Sequence, residues 1–281
     1  MSVLELPEYA YHADLIDETR PSLSRSVIHA MCSKSPAHAR AAHPKLNPLF
    51  EIETKSEFDI GTSAHQVLLE GHANVDVLSY DNWKRPIARE EAAQVRLHGR
   101  IPLLEKEWES VEAMIAAVRP QLDEMDPVPF TEGRAEQTIS WEYEGVLLRA
   151  RPDWIRDDLS LVEDFKTASS ADPAAWSKRA IEYGYDLQAV LYRMGVQMAT
   201  GAFPDYRCIV VEKKAPYLVT EFRFAPDALT LAHRKVMWAI DMWRRCLDTE
   251  IWPGYASETC WVKLNPWDEE RWLEKEARWA A

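Results

Sequence analysis

The chain predicts a mixed α/β fold, a central mixed sheet flanked by helices, laid down in the order helix, three strands, helix, strand. Three observations predict it. Residues 135–166 fall into strand-length runs with period-two patterning. They are preceded by helix-compatible spacing over Glu57–Glu70, with His65, Leu68 and Leu69 in place, and followed by another helical stretch over Trp176–Thr200. With 47% hydrophobic residues, 12 Trp and only 9 Gly in 281 residues, the chain also has the apolar content for a sizeable core, which excludes a disordered chain.

Taken in order, residues 1–22 carry Pro7 and Pro21 among mixed charges and read as an extended arm. Ser24 or Ser26 is placed to cap a short helix running toward Ser33. A loop rich in Pro, Ala and His covers 35–50. After the helix at 57–70 comes a segment, about 76–126, that reads as a mostly helical insertion from Arg89 onward and is ended by Asp126-Pro127-Val128-Pro129. Strands follow at about 135–143, 145–155 and 160–166. The helix over 176–200 is in one or two pieces, interrupted near Tyr183-Gly184-Tyr185. Tyr206–Lys213 and Tyr217–Phe224 read as two more strands, Asp227–Asp248 as a long amphipathic helix, and Trp267–Trp279 as a last one. One domain accommodates all of this: an arm and helix over 1–56, a core over 57–225, and C-terminal helices over 226–281.

The most informative stretch is 152–166. Asp153 follows Pro152, and Asp164 and Lys166 stand two apart inside an apolar run. In a strand, residues two apart share a face. Val162, Asp164 and Lys166 therefore point one way, and Leu161, Glu163 and Phe165 the other. A carboxylate beside an ammonium in such a run costs free energy unless the two are paired or bind something. The preceding run, Val146 to Asp153, puts Arg149, Arg151 and Asp153 on one face by the same period. Adjacent strands so patterned bring Asp153, Asp164 and Lys166 together as a metal site with a lysine beside it. The plain alternative is a surface hairpin with a solvated salt bridge.

Pro152-Asp153 followed by Asp164-Phe165-Lys166 resembles the signature of the PD-(D/E)XK nuclease superfamily, whose αβββαβ core has the element order read above. Gly61-Thr62-Ser63-Ala64-His65 resembles the Gly-x-x-x-His element of RecB-type nucleases, and Gln188 to Tyr192 their Gln-x-x-x-Tyr helix. Leu23-Ser24-Arg25-Ser26, with Ser35-Pro36-Ala37-His38 after it, is similar to the opening of RecE-type (exonuclease VIII-like) exonucleases. The likeness covers about Leu23 to Lys213 and implies a metal-dependent exonuclease, 5′-to-3′ on double-stranded DNA ends, leaving 3′ single strands for a phage- or prophage-type recombination partner that anneals or pairs strands. A RecB-like single-strand nuclease and a non-catalytic DNA-end-binding module are the competing readings.

The resemblance implies Mg²⁺, with Mn²⁺ able to substitute, held by Asp153 and Asp164 with the main-chain carbonyl of Phe165, and with Glu136 and His65 as further ligands. Lys166 positions or helps deprotonate the attacking water and neutralises transition-state charge. Gln188 and Tyr192, one helical turn apart, border the active site. Arg149, Arg151, Ser24 and Ser26 face DNA. Each has a bland counterpart: His65 as a packed helix histidine, Glu136 as a solvated strand-start acid, Tyr192 as core, and both arginines paired with Glu142 or Glu144.

A net charge of -13 weighs against tight stand-alone DNA binding, because phosphate neutralisation needs Lys and Arg, but it leaves room for a local basic groove. Cys32, Cys208, Cys246 and Cys260 lack zinc-site or cluster spacing and read as buried free thiols. No apolar run is long enough for a membrane span and no secretory leader stands at the start, so the expected location is the cytoplasm. The dispersed tryptophans of the last third suit packing or a subunit interface better than base stacking. RecE-type relatives form rings, so a homo-oligomeric ring, trimer or tetramer, is the expected assembly.

Overall fold

The computed structural model describes residues 2–4, 6–50 and 56–279. In chain order its elements are β1 (Ser2–Leu4), α1 (Glu8–His12), α2 (Arg25–Ser33), α3 (Pro36–Ala41), α4 (Ser56–Glu70), β2 (Val75–Leu78), α5 (Pro86–Leu97), β3 (Ile101–Leu104), α6 (Glu105–Asp123) and β4 (Gly133–Ala135). Then follow β5 (Thr138–Tyr143), β6 (Val146–Ala150), β7 (Trp154–Arg156), β8 (Leu161–Ala168), α7 (Pro173–Glu182), α8 (Tyr185–Thr200), β9 (Asp205–Glu212), β10 (Val219–Phe222), α9 (Pro226–Thr249) and α10 (Pro266–Trp279).

The main sheet has the order β10-β9-β8-β7-β4 and is mixed: β8 and β9 run parallel, joined through α7 and α8, and the other neighbours are antiparallel. Its two centre strands divide the core by their period of two. Val162, Cys208 and Val210 face one apolar cluster, shared with α2, α8 and α9. Phe165, Ile209 and Val211 face another, shared with α4 and α6. A strand buried on both faces reads as a near-continuous hydrophobic run, as β9 does from Cys208 to Val211. The charged exceptions in β8 are therefore informative.

Several expectations are corrected. The strand read over 145–155 is two strands in two sheets, β6 beside β5 and β7 beside β8. Pro152 lies at the break: it has no N–H for a ladder bond and a fixed φ, so the strand stops there. The arm is not simply extended, since β1 pairs with β5 and α1 follows it. The loop at 35–50 contains α3, whose N-cap Ser35 accepts a hydrogen bond from the His38 amide. The insertion read as mostly helical also holds a parallel pair, β2 beside β3, between its helices. The boundary at 56 adjoins residues 51–55, which lie outside the described residues. Cys260 is exposed rather than buried.

The interruption in the 176–200 helix is real and has a cause. Gly184, φ +69°, separates α7 from α8, and a Cβ there would lie 2.5 Å from His29 Cδ2. Only glycine meets both conditions without strain. Asp172 caps α7 by accepting from the Ala174 and Ala175 amides, with Pro173 at the first helical position. α2 starts at Arg25 with Ser24 at its N-cap position, but the Ser24 hydroxyl contacts Ser26 Oγ at 3.1 Å instead of the helix amides.

Candidate metal centre

The site forms where α4, the β4–β5 link and the break between β6 and β7 meet β8. His65, on α4, is carried close to the sheet because α4 packs tightly on β8 at Gly61. A Cβ on Gly61 would come within 2.8 Å of Thr167 Oγ1, so the glycine one turn before the histidine permits the approach. Glu136 lies in the link between β4 and β5, not in a strand, with φ +55° and its amide bonded to the Asp153 carbonyl at 3.0 Å. Asp153 sits in the β6–β7 break, and its Oδ2 accepts from the Phe165 amide at 2.8 Å.

His65 Nε2 is 3.3 Å from a Glu136 oxygen and 3.3 Å from Asp153 Oδ2. One ligand atom from each of the three residues lies within 4.8 Å of the others. An imidazole nitrogen and two carboxylates without a thiolate suit a hard or borderline divalent cation. The donor set therefore fits Mg²⁺ or Mn²⁺. Lys166 Nζ is 3.9 Å from Asp153 Oδ2, in contact with Asp164 Oδ2, and 3.3 Å from the Phe165 carbonyl. That carbonyl thus opens toward the same space.

Asp164, expected as a primary ligand, has a different setting from Asp153. It is fully buried, held between the Lys166 ammonium and the Gln188 amide, and stands outside the three-residue cluster. Gln188 in turn accepts from Arg25 Nε and Nη2, both at 3.2 Å, so the start of α2 is tied through α8 to Asp164.

The electrostatics follow from three carboxylates competing for few cations. Burial pushes Asp153 up, but Lys166 and His65 outweigh it and bring its carboxyl down to about 2. Burial and the Asp153 charge push Asp164 up to about 7, despite Lys166 beside it. Burial alone would lower Lys166, yet Asp164 and Asp153 raise it further above its usual range, so the amine stays an ammonium. The Lys166 direction follows from two close carboxylates, and the Asp164 direction from complete burial next to a second carboxylate. His65 is raised, Asp153 and Glu136 overcoming its burial; Glu136 is raised by burial and by Asp153.

Two sequence-named arginines do not stand free in the cleft. Arg149 is buried, with Nη1 2.8 Å from Asp14 Oδ1 and 2.7 Å from the Ser22 carbonyl rather than paired with Glu142 or Glu144, and it lines the cavity beside the centre that also holds Ser24 and Ser26. Its partner comes from the N-terminal segment, which strand periodicity cannot foresee. Arg151 contacts Glu136 and donates to the Leu6 carbonyl at 2.6 Å, so it braces the centre.

The cleft over the centre is a cavity of about 470 Å³ whose lining includes His65, Glu136, Asp153, Lys166 and Tyr192. A second cavity of about 450 Å³ adjoins it, sharing Tyr11, His12, Asp153, Lys166 and Tyr192, and carries Ser24, Arg25 and Ser26 on its wall. Sequence reading passed over Arg25, although it stands between the two serines of the motif. It also missed Tyr11 and His12, whose arm shows no periodicity. Tyr185, in the tyrosine pair before Gln188, was not given a role. Its ring lies 5.1 Å from the Arg25 guanidinium and 5.2 Å from Lys166 Nζ.

The family model described as a PDDEXK-like domain of unknown function (DUF3799) matches residues 24–264, and the chain belongs to that family. It is thus a member of the PD-(D/E)XK nuclease superfamily. Among solved structures it is similar to a "Putative exonuclease" from Eubacterium rectale, with 14% identity, a TM-score of 0.63, and coverage of 94% of this chain and 98% of that one. That likeness shows the fold. A second structure, SSO0001, aligns over 73% of this chain and 99% of that one at 14% identity, but its TM-score of 0.25 carries no argument. No curated protein sequence matches the chain.

Proposed function

We propose that this protein is a divalent-metal-dependent deoxyribonuclease that degrades double-stranded DNA from an end, 5′ to 3′, and leaves a 3′ single strand for a strand-annealing or recombination partner. The observation that carries the reading is the meeting of His65, Glu136 and Asp153 within 4.8 Å of one another, with Lys166 Nζ 3.9 Å from Asp153. Family membership supports nuclease chemistry. The polarity and the recombination partner rest on the RecE-type resemblance.

His65, Glu136 and Asp153 would hold Mg²⁺ or Mn²⁺, with Asp164 and the Phe165 carbonyl at hand beside Lys166. A bound divalent ion supplies Lewis-acid polarisation of the phosphoryl group and lowers the pKa of its water. Lys166, kept as an ammonium, places positive charge next to Asp153, where charge grows on the phosphoryl oxygens. It therefore acts as a charge donor and orienter of water rather than a base. Gln188 holds Asp164 in place, and Arg25 holds Gln188. Ser24, Arg25 and Ser26, on the adjoining cavity, are placed to take a DNA phosphate; Tyr192 lines both cavities.

The test uses duplex DNA labelled at the 5′ or the 3′ end, with Mg²⁺ or with EDTA. Shortening from the 5′ end in Mg²⁺, none in EDTA, and nearly the same thermal unfolding curve in both is the expected result. Cleavage of single strands alone would favour the RecB-like reading. End binding without cleavage would leave only a binding module.

A further inference from the structure

Residues 256–279 pack against no other part of the described chain. After Trp252 packs against Trp243 and the Pro253 carbonyl accepts from the Ala37 amide, the chain leaves the body. Ten residues without regular structure, 256–265, lead to α10, and α10 buries nothing. Trp267, Trp272 and Trp279 are 68%, 61% and 83% exposed, and Trp261 and Leu264 before them are more than three-quarters exposed. Exposed apolar surface beyond scattered single residues marks interaction sites, and tryptophan is among the residues most enriched in interface hot spots.

A receptor of matching chemistry lies elsewhere on the same molecule. Between α8 and α9 runs an apolar groove of about 590 Å³, floored by Met194, Met198, Met237 and Leu229 and walled by Phe203. Methionine-lined grooves take amphipathic helices because the side chains adapt to large aromatic ones. The charge also matches. The polar residues of the groove include Arg193, His233 and Arg234 and no carboxylate, whereas α10 carries five acidic residues (Asp268, Glu269, Glu270, Glu274, Glu276) against three basic ones.

We infer that α10 of one copy docks into the α8–α9 groove of a second copy, with tryptophans among the methionines and its acidic residues toward Arg234 and His233. Ten extended residues reach about 33–36 Å, enough to cross to a neighbour. Groove and arm are different patches, so the contact is head-to-tail, and repetition closes into a ring or runs on as a filament. The inference concerns how copies of the chain meet and is independent of the nuclease chemistry proposed above.

Light scattering on three proteins tests it: the intact chain, an arm variant (Trp267→Ser, Trp272→Ser, Trp279→Ser) and a groove variant (Met198→Glu, Arg234→Glu). All substituted positions are exposed, so helical circular dichroism should match the intact chain. The intact chain should be oligomeric and each variant monomeric. An equimolar mixture of the variants should yield a heterodimer and nothing larger, because one intact arm and one intact groove remain. An intact chain that is monomeric, an arm variant that still assembles, or a mixture that fails to pair would each overturn the inference. Cleavage of labelled duplex is read separately on the same samples, so loss of assembly and absence of nuclease chemistry are distinguishable.

Discussion

Strand β8 carries two buried ion clusters back to back, and the contrast between them separates architecture from chemistry. On one face Glu163 meets Arg207 across the parallel β8–β9 register, both fully buried. Arg207 Nε donates to Glu163 at 2.9 Å, Nη1 to Glu221 at 2.8 Å and Nη2 to the Pro127 carbonyl at 2.7 Å, while the second Glu163 oxygen accepts from the Phe130 amide at 2.7 Å. Every group is answered, and Glu163 and Arg207 line neither cavity of the metal centre. On the other face Lys166 contacts the buried Asp164 and joins Asp153, Glu136 and His65 at a cavity wall, where Lys166, Arg151 and the raised His65 imidazole stand among three carboxylates. A closed cluster fixes strand register. A cluster of carboxylates and an imidazole facing a cavity is suited to receive a cation.

The largest effect that can break this comparison lies on the open face. Lys166→Ala and Asp153→Ala should each lower Mg²⁺-dependent cleavage of end-labelled duplex by about 10²–10³-fold or more, the scale seen when one electrostatic stabiliser is removed. Asp153→Ala should also weaken Mn²⁺ binding in titration calorimetry, and Lys166→Ala should not. More than a few per cent of residual cleavage in either variant would sink the assignment.

A smaller effect, of a different kind, belongs to the closed face. Glu163→Gln removes the buried one of the two carboxylates that pair with Arg207 and leaves only the half-buried Glu221; breaking a buried pair typically costs up to about 3–5 kcal/mol. The variant should unfold at clearly lower denaturant, while cleavage per folded molecule is unchanged. Replacing both Glu163 and Arg207 by Met should recover much of the loss, as buried pairs exchanged for apolar groups often do. Loss of cleavage without loss of stability in Glu163→Gln would erase the distinction between the two faces.

The smallest effect sharpens it through pH. The Asp164 carboxyl titrates at about 7 in the folded chain, against about 3.9 for a free aspartate. The folded state therefore binds this proton more tightly. Its contribution is fully present below the free value and lost as pH rises through 7. Asn carries no such charge, and Lys166 keeps Asp153 as a partner at 3.9 Å. Metal-free Asp164→Asn should melt higher than the parent at pH 8, by about 2–4 °C for each kcal/mol, with the gap narrowing toward pH 4. A lower melting midpoint at pH 8 would mean that the Lys166 contact outweighs the cost of burying the charge.

Much of the fold could be read along the chain because it depends on local period. The helices at 56–70, 226–249 and 266–279, the strand pair around Lys214, and the break at Gly184 all follow from spacing and from single residues such as glycine. The Asp164–Lys166 pairing was legible for the same reason, since residues two apart in a strand must share a face. Glu136 was placed in a strand because its left-handed backbone leaves no mark in a run that otherwise alternates.

What tertiary structure alone decided are contacts between residues far apart in sequence. Whether an arginine is held by the core depends on its partner: Arg149 is held by Asp14 and Arg207 by Glu163. Alternation assigns a side chain to a face but cannot say what covers that face. The break at Pro152 illustrates the limit. Alternation carries the expected strand straight through Pro152, although the ring leaves no N–H for a ladder bond; only the packing of two sheets and α4 decided that the strand would stop and Asp153 turn there toward His65 and Glu136, because that requires the approach of α4 to β8 that Gly61 permits.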